Sequence, residues 1–282
     1  MDRHPQSEPA SWNSHRGNVW AELQPLLDRL FLPFEQWIAD AVAYDDAHTV
    51  LDVGCGAGAT SRAIARRLGP DGHCTGIDIS SILIEIAQQR ATEAGLNNAR
   101  FLIGDAQRSD FSGQLYDTVA SRFGVMFFDD PVAAFANISG ALRPGGTLTC
   151  AAWRSAAENQ FMSTAERAIA PILGPDKPLD PHAPGQFAFA DAKRIETILA
   201  ASGWDTIDIQ PLDMCCTLSS TDLAIYARRM GRPGTLLPKL EESLRRDAEA
   251  RLDDAFAAFV TNGVARFNAA CWSIRARKPT SI

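Results

Sequence analysis

The stretch VLDVGCGAGATSRAIARRLG (residues 50–69) joins an apolar strand to a helix through a turn with three glycines in five residues. Glycine permits a tight turn and lets the backbone approach a bound ligand closely. In an open sheet of parallel strands, ligands bind at the carboxyl ends of the strands, where this turn lies. The stretch therefore predicts an α/β fold with a ligand site beside the turn.

The alternation of strand and helix patterns continues along the chain and predicts a doubly wound, mostly parallel sheet of seven strands. Helices are predicted between the strands, with Ser80 as the N-cap of one of them. The predicted strands are HTVLDVG (48–54), HCTGIDI (73–79), ARFLIGD (99–105), YDTVASRF (116–123), TLTCAAW (147–153), WDTIDIQPLD (204–213) and ARFNAACWSIRARK (265–278).

Segments outside this alternation divide the chain into six parts. Three are helix-patterned, and we interpret them as a lid stacked over the site; the sheet is expected to have a complete core without residues 11–45. The parts are an N-terminal helical lid segment (1–45), the core (46–154), a helical and proline-rich insertion (155–190), a continuation of the core (191–218), a second helical insertion (219–265) and the closing strand with its tail (266–282).

Composition narrows the class of protein. The 282 residues are 46% hydrophobic, which suffices for one substantial core, and no apolar run is long enough to cross a bilayer. The polar start of the chain has no signal-peptide centre, so a cytoplasmic protein without a membrane partner is expected. A net charge of -7 argues against nucleic acid as a partner. The six cysteines are scattered without metal-ligand spacing, so no metal site is predicted.

Three carboxylates end successive predicted strands: Asp52, Asp78 and Asp105. A carboxylate beside the glycine turn would repel a pyrophosphate, whereas it suits a ligand that carries an ammonium and a sulfonium. The turn also lacks the lysine of phosphate-binding loops. Each aspartate alone could be a structural cap, but three at one edge of a sheet indicate a binding site.

Four motifs, VLDVGCGAG (50–58), GIDIS (76–80), GDAQ (104–107) and LRPGGTLTCAAW (142–153), occur in this order. The chain thereby resembles the class I S-adenosylmethionine-dependent methyltransferases, in particular the small-molecule branch that includes the ubiquinone and menaquinone biosynthesis type. The resemblance implies a Rossmann-like methyltransferase fold, S-adenosylmethionine as cofactor and S-adenosylhomocysteine as product.

The resemblance also implies roles for individual residues. The methionine part of the cofactor would be served by Asp52, Gly54, Gly56 and Ser121, the ribose by Asp78, and the adenine by Ile79, Asp105 and Ala106. The acceptor would lie after the fourth strand, where this chain lacks the polar-Pro-Pro-aromatic signature of enzymes that methylate nucleobase amines. The expected acceptor pocket comprises Arg122, Phe123, Met126, Trp12, Trp20 and Trp153, although the tryptophans could equally pack within a lid.

A general base is needed only for an acceptor that keeps its proton. His15 and His182 are candidates by location, with an ordinary surface position as the alternative for each. The sequence thus predicts a methyltransferase acting on an O, C or N nucleophile of a small, partly apolar metabolite. A nicotinamide-dependent oxidoreductase on the same fold, and a non-catalytic S-adenosylmethionine-binding or scaffold protein, stay as alternatives. The oligomeric state is left open, a homodimer being one option.

Overall fold

The computed structural model describes residues 12–45, 47–111, 113–174, 180 and 182–280. Within them, one sheet has the strand order β3-β2-β1-β4-β5-β8-β6, and a further short strand, β7, pairs with β8. The strands are β1 (Thr49–Val53), β2 (His73–Asp78), β3 (Ala99–Ile103), β4 (Tyr116–Arg122), β5 (Leu142–Trp153), β6 (Asp205–Ser219), β7 (Val260–Thr261) and β8 (Val264–Arg277).

Helices flank the sheet and also fill the two insertions. Side chains cap several of them, and Ser80 caps α4 as predicted, since its hydroxyl accepts a hydrogen bond from the backbone N–H of Leu83. The helices are α1 (His15–Glu22), α2 (Gln24–Tyr44), α3 (Ala59–Leu68), α4 (Ser81–Glu93), α5 (Pro131–Gly140), α6 (Gln160–Leu173), α7 (Ala192–Ala201), α8 (Ser220–Arg229), α9 (Gly231–Leu236) and α10 (Glu242–Ala257).

Strands β1 to β5 run parallel, whereas β8 is antiparallel to both of its long neighbours, β5 and β6. The carboxyl ends of β1 to β5 therefore meet at one edge of the sheet. The predicted doubly wound, mostly parallel α/β architecture is confirmed. One detail differs: residues 260–265, expected within a helical insertion, form a hairpin that adds the eighth strand. Its turn, Asn262–Gly263, has φ angles of 52° and 76°, which suit a two-residue hairpin loop.

Helix α2 is part of the core. Its apolar face packs over the sheet and against α3, and Leu30, Phe34, Ile38 and Val42 are each 0% exposed. The expectation that the sheet has a complete core without residues 11–45 is therefore wrong, because α2 covers one face of the sheet. Within the described part of this N-terminal segment, only residues 12–23 stay candidates for a lid.

The insertion helices lie together. Helix α6, from the first insertion, packs against α9 and α10 from the second, and α8 packs against α9 and α10. The proline-rich loop that follows α6 includes 175–179 and 181, which lie outside the described residues. None of the helices in the described part of the chain combines the length and apolar character needed to span a membrane.

Candidate active site

A cavity of ≈ 300 Å³ opens at the edge where strands β1 to β5 end. Its polar end follows β1, β2 and β3 and is formed by Gly54, Gly56, Thr60, Asp78 and Asp105. Its aromatic end follows β4 and β5, next to α2, α6 and α8, and is formed by Phe31, Phe123, Trp153, Phe161 and Tyr226. The two ends reflect the strand order, which separates β3-β2-β1 from β4-β5.

The glycine turn adopts a backbone that other residues reach only with strain. Gly54 and Gly56 have φ angles of 68° and 54°. A Cβ atom added at Gly54 would lie 2.7 Å from the Cα atom of Gly124, so the turns after β1 and β4 touch through their backbones. A Cβ added at Gly56 would meet nothing within 4 Å. The contact between Gly54 and Gly124 therefore links the polar end of the cavity to the aromatic end, whereas the Cβ position of Gly56 has no neighbour.

Asp78 fastens the glycine turn to the end of β2. Its carboxylate accepts hydrogen bonds from the backbone N–H groups of Gly56, at 2.8 Å, and Ser80, at 2.9 Å. Burial raises the pKa of Asp78, although these backbone hydrogen bonds act in the opposite direction. Asp78 lines the cavity, and its carboxylate keeps lone pairs that can accept hydrogen bonds from a ligand's hydroxyl groups.

Asp52, expected to touch the cofactor, does not line the cavity. It is 0% exposed beneath the turn, where it accepts a 2.5 Å hydrogen bond from the hydroxyl of Ser61 on α3. Its partner across the β1–β2 pair is Gly76, and a Cβ there would lie 2.8 Å from both the Ser61 hydroxyl and the Cys55 thiol. Because Gly76 has no side chain, there is room for the buried cluster of Asp52, Ser61 and Cys55. Burial raises the pKa of Asp52 to about 7.

Ser121 was also expected to contact the methionine part of the cofactor, and the structure corrects this expectation. It is 0% exposed and does not line the cavity. Its hydroxyl donates to the backbone carbonyl of Val53 at 2.7 Å and accepts from the N–H of Gly124 at 3.2 Å. Ser121 therefore holds the turns after β1 and β4 together from below.

The other predicted residues of the polar end lie just after the carboxyl ends of β2 and β3. Ile79, Asp105 and Ala106 all line the cavity. Asp105 accepts a hydrogen bond from the backbone N–H of Gln107 at 3.0 Å and forms a 2.6 Å ion pair with Arg108. The structure thus brings Gly54, Gly56, Asp78, Ile79, Asp105 and Ala106 together around one cavity.

Thr60 at the polar end was missed by the sequence reasoning. Its hydroxyl is buried without a hydrogen-bond partner in the described structure, it lines the cavity, and it stands in the first turn of α3. The N–H groups of a first helical turn have no partner within the helix and favour an anionic group. An amino acid carboxylate fits this turn, while the carboxylates of Asp78 and Asp105 fit hydroxyl and amine donors. The polar end therefore suits S-adenosylmethionine.

The aromatic end contains four of the predicted acceptor residues: Arg122, Phe123, Met126 and Trp153. Phe123 has a φ of 68°, uncommon for a bulky side chain, and its ring stacks on that of Trp153 with centroids 4.3 Å apart. The Arg122 guanidinium lies 5.8 Å from the ring centroid of Phe31 and donates a long hydrogen bond of 3.5 Å to that residue's carbonyl. This end is an aromatic pocket with the Arg122 cation in its wall.

Trp12 and Trp20 line the cavity with ring centroids 5.6 Å apart, but at its polar end and not in the acceptor pocket where they were expected. The segment is tied to the start of α4: the Asn13 side-chain amide donates to the carbonyl of Ile79 at 2.8 Å, and the Ser80 hydroxyl donates to the carbonyl of Trp12 at 3.0 Å. The tryptophan pair therefore borders the polar end from the N-terminal side.

Of the two predicted histidines, only His182 has a described side chain. His182 is exposed and does not line it, because the loop after α6 carries it to the surface. His15 begins α1, but its side chain lies outside the described residues.

Residues from the insertions complete the aromatic end and escaped the sequence reasoning. Phe161 and Glu166 on α6, Tyr226 on α8 and Arg232 on α9 line the cavity, and Arg232 forms an ion pair with Glu166. No local motif marks them, because they meet the strand ends only through tertiary packing.

Known proteins resemble this chain in sequence. A family model described as "Methyltransferase domain" matches residues 44–199. An aklanonic acid methyltransferase of Streptomyces sp. (strain C5) is 35% identical over 118 residues, which cover 42% of this chain and 54% of that protein. A demethylmenaquinone methyltransferase of Listeria monocytogenes serotype 4a (strain HCC23) is 35% identical over 101 residues, which cover 36% of this chain and 43% of that protein. The matches thus span about half the length of these curated relatives.

Solved structures share the fold. Phosphoethanolamine N-methyltransferase 2 of Haemonchus contortus, solved with S-adenosylmethionine, superposes with a TM-score of 0.59 at 16% identity over 99% of this chain and 61% of that one. The cyclase SpnF superposes with a TM-score of 0.59 at 18% identity over 94% of this chain and 96% of that one. The predicted Rossmann-like methyltransferase fold is confirmed.

Proposed function

Since the chain belongs to the methyltransferase-domain family, whose model matches residues 44–199, we propose that it transfers the methyl group of S-adenosylmethionine to a small, partly apolar molecule. This agrees with the resemblance of its four motifs to those of the class I S-adenosylmethionine-dependent methyltransferases. The observation that carries the proposal is a single cavity with a polar end that suits this cofactor and an aromatic end that suits an apolar acceptor.

Residues of the polar end would hold the cofactor. The carboxylate of Asp78 accepts from the ribose hydroxyls, Ile79 packs on the adenine, and Asp105 accepts from the adenine amine. The free backbone N–H groups in the first turn of α3 receive the methionine carboxylate. When bound, S-adenosylmethionine supplies a methyl group already activated by its sulfonium.

The protein's contribution is then to position the acceptor and exclude water. Trp153, Phe123 and Phe161 form a rigid apolar wall, as Trp153 and Phe161 are only 3% and 1% exposed. No described histidine side chain lines the cavity. The described histidine side chains therefore do not supply a general base at the cavity, and the proposal keeps an O, C or N atom of the acceptor as the nucleophile.

Thermal melting with candidate cofactors tests the proposal. A ligand that binds only the folded state raises the melting temperature as its concentration exceeds Kd. Millimolar S-adenosylhomocysteine should raise it, whereas NAD and NADP should not. The reverse pattern would favour the oxidoreductase alternative, while binding without methyl transfer to any acceptor tried would favour a non-catalytic or differently catalytic protein.

Asp78→Ala sharpens this test. Loss of charge-assisted hydrogen bonds should weaken S-adenosylhomocysteine binding by roughly tenfold to a hundredfold, equivalent to about 1.5–3 kcal/mol. Asp71→Ala, in the exposed turn before β2, is the matched control and should bind normally. Isothermal titration calorimetry measures both. Equal affinities in the two folded variants would show that Asp78 serves only the glycine turn.

A further inference from the structure

Helix α8 brings Tyr226 to the aromatic end from outside the stretch that matches the family model. Ser219 is the N-cap of this helix, and its hydroxyl accepts a hydrogen bond from the backbone N–H of Asp222 at 3.0 Å. Its buried residues, Leu223, Tyr226 and Ala227, are spaced by three and four positions and so share one face. Tyr226 therefore points inward because of the helix period.

The Tyr226 ring belongs to the aromatic wall. Its centroid lies 6.4 Å from that of Phe161, and the Phe161 centroid lies 6.2 Å from that of Trp153. All three line the cavity, and Tyr226 is 9% exposed. The phenol thus stands beside the space expected to hold the acceptor.

The Tyr226 hydroxyl makes no hydrogen bond with any residue in the described part of the chain. Its oxygen is nevertheless not fully enclosed by protein atoms. Tyr226 also lines the cavity. A hydroxyl in apolar surroundings is destabilising unless it is hydrogen-bonded, so this group requires a partner from a ligand or water.

The Arg232 guanidinium at the same end is already engaged. Arg232 pairs with Glu166 and donates to the backbone carbonyls of Leu173 and Gly174, at 3.0 and 2.9 Å. Burial raises the pKa of Tyr226, so the phenol keeps its proton and acts as a hydrogen-bond donor rather than as a base.

We propose that the Tyr226 hydroxyl donates a hydrogen bond to an oxygen atom of the methyl acceptor and thereby selects acceptors with an oxygen on the ring edge that faces α8. The proposal rests on the proposed function of the cavity, and it assigns Tyr226 as a specificity-determining residue.

The test uses two probes of nearly equal shape, 2-acetylnaphthalene and 2-ethylnaphthalene, of which only the ketone has an oxygen acceptor. Quenching of tryptophan fluorescence measures their affinities for the full chain, with and without S-adenosylhomocysteine. The wild type should prefer the ketone by roughly threefold to tenfold, the expected effect of one hydrogen bond.

Tyr226→Phe should abolish this preference while leaving affinity for 2-ethylnaphthalene and S-adenosylhomocysteine unchanged. Tyr44→Phe is the matched control, since Tyr44 is 86% exposed at the end of α2. The wild-type ratio needs no variant, so the proposal stays testable if Tyr226→Phe does not fold.

Equal affinity of the wild type for both probes, or no binding of either, would overturn the proposal. Retention of the preference in Tyr226→Phe would do so as well. Failure of S-adenosylhomocysteine to bind, with the ketone preference intact in the ligand-free protein, would instead count against the proposed function and support the role of Tyr226.

Discussion

The polar end of the cavity takes its binding groups from turns that directly follow β1, β2 and β3, whereas the aromatic end takes its side chains from elements throughout the chain. Gly54, Asp78 and Asp105 lie within 52 residues. Phe31 and Tyr226, at the other end, are separated by almost 200 residues. Backbone geometry and carboxylates dominate the first end, and packed rings dominate the second.

This difference shows how one fold can keep the site of one cofactor while the pocket for the acceptor varies. Groups held by adjacent parallel strands keep their spacing as long as the sheet forms, because strand pairing determines it. Groups on insertions depend on helix packing and can change without disturbing the sheet. Substitutions at the polar end should therefore affect folding and cofactor binding together, whereas those on the insertion helices at the aromatic end should leave the sheet in place and alter binding of the acceptor.

The largest effect is expected from Gly54→Ala, measured against Gly56→Ala. Both replacements place alanine in the left-handed region, which costs about 1–2 kcal/mol of folding free energy. Only Gly54→Ala also drives a Cβ into the backbone of Gly124, at 2.7 Å. Its free energy of unfolding should fall by roughly twice as much as that of Gly56→Ala, with a larger loss of S-adenosylhomocysteine affinity. Urea unfolding and calorimetry measure the two quantities.

Equal losses in the two glycine variants would mean that the turns after β1 and β4 are not coupled through Gly54 and Gly124. The two ends of the cavity would then be mechanically independent.

The second prediction concerns pH and Asp52. The pKa of this carboxyl rises from 3.8 to about 7 on folding because of burial, so the folded state binds the proton more tightly. Stability should therefore fall as pH rises from about 4 to 7, with a limiting slope of about 1.4 kcal/mol per unit for one proton. Burial acts in the same direction on Asp78, so part of the slope belongs to that residue.

Asp52→Asn should remove the Asp52 part of this slope and melt at a higher temperature than the wild type at pH 8. Asp71→Asn, in an exposed turn, should keep the wild-type profile. Superimposable profiles for Asp52→Asn and the wild type between pH 5 and 8 would show that Asp52 is ionised in the folded protein throughout that range.

The third prediction concerns α1 as a lid. Amides of residues 15–22 should exchange with deuterium faster than those of α2 in the ligand-free protein and slow down when S-adenosylhomocysteine binds. Gly17→Ala offers a matched perturbation, because a Cβ there would collide with the carbonyl oxygen of Trp12. It should weaken S-adenosylhomocysteine binding roughly fivefold, about the effect of one hydrogen bond, without lowering the melting temperature of the core.

Protection of α1 equal to that of α2 without ligand would contradict the lid role. Residues 12–23 would then be a fixed wall of the polar end.

The smallest effect is expected from the ion pairs that join the N-terminal helices to α8. Arg29 and Asp222 form a 2.8 Å pair, and Glu22 pairs with Arg229. Arg29 is 55% exposed, so each pair should contribute about 0.2–1 kcal/mol, less at high salt. Arg29→Gln should therefore lower the melting temperature slightly in low salt and not at all in 1 M NaCl. A large loss of melting temperature that persists in high salt would show that the packing of the N-terminal helices against α8 is a structural part of the fold.

The sequence alone determined the sheet, its parallel strands and the positions of Gly54, Gly56, Asp78, Ile79, Asp105 and Ala106 at one edge. The sheet, the glycines and the aspartates follow from local periodicity and from residues next to strand ends, which the fold places together by its topology, whereas Ile79 and Ala106 came from the resemblance to the methyltransferase motifs. The hairpin at Asn262–Gly263 was missed, although its turn signal is local, because a helical pattern precedes it.

Only the tertiary structure decided which residues face the cavity. Asp52 and Ser121 stand one or two positions before residues that line it, yet strand pleating and turn packing direct them into the core. Helix α2 lies in the core because the sheet face needs cover, and Tyr226 reaches the aromatic end because α8 docks there. Such contacts depend on packing between distant segments, and no pattern within a single segment encodes them.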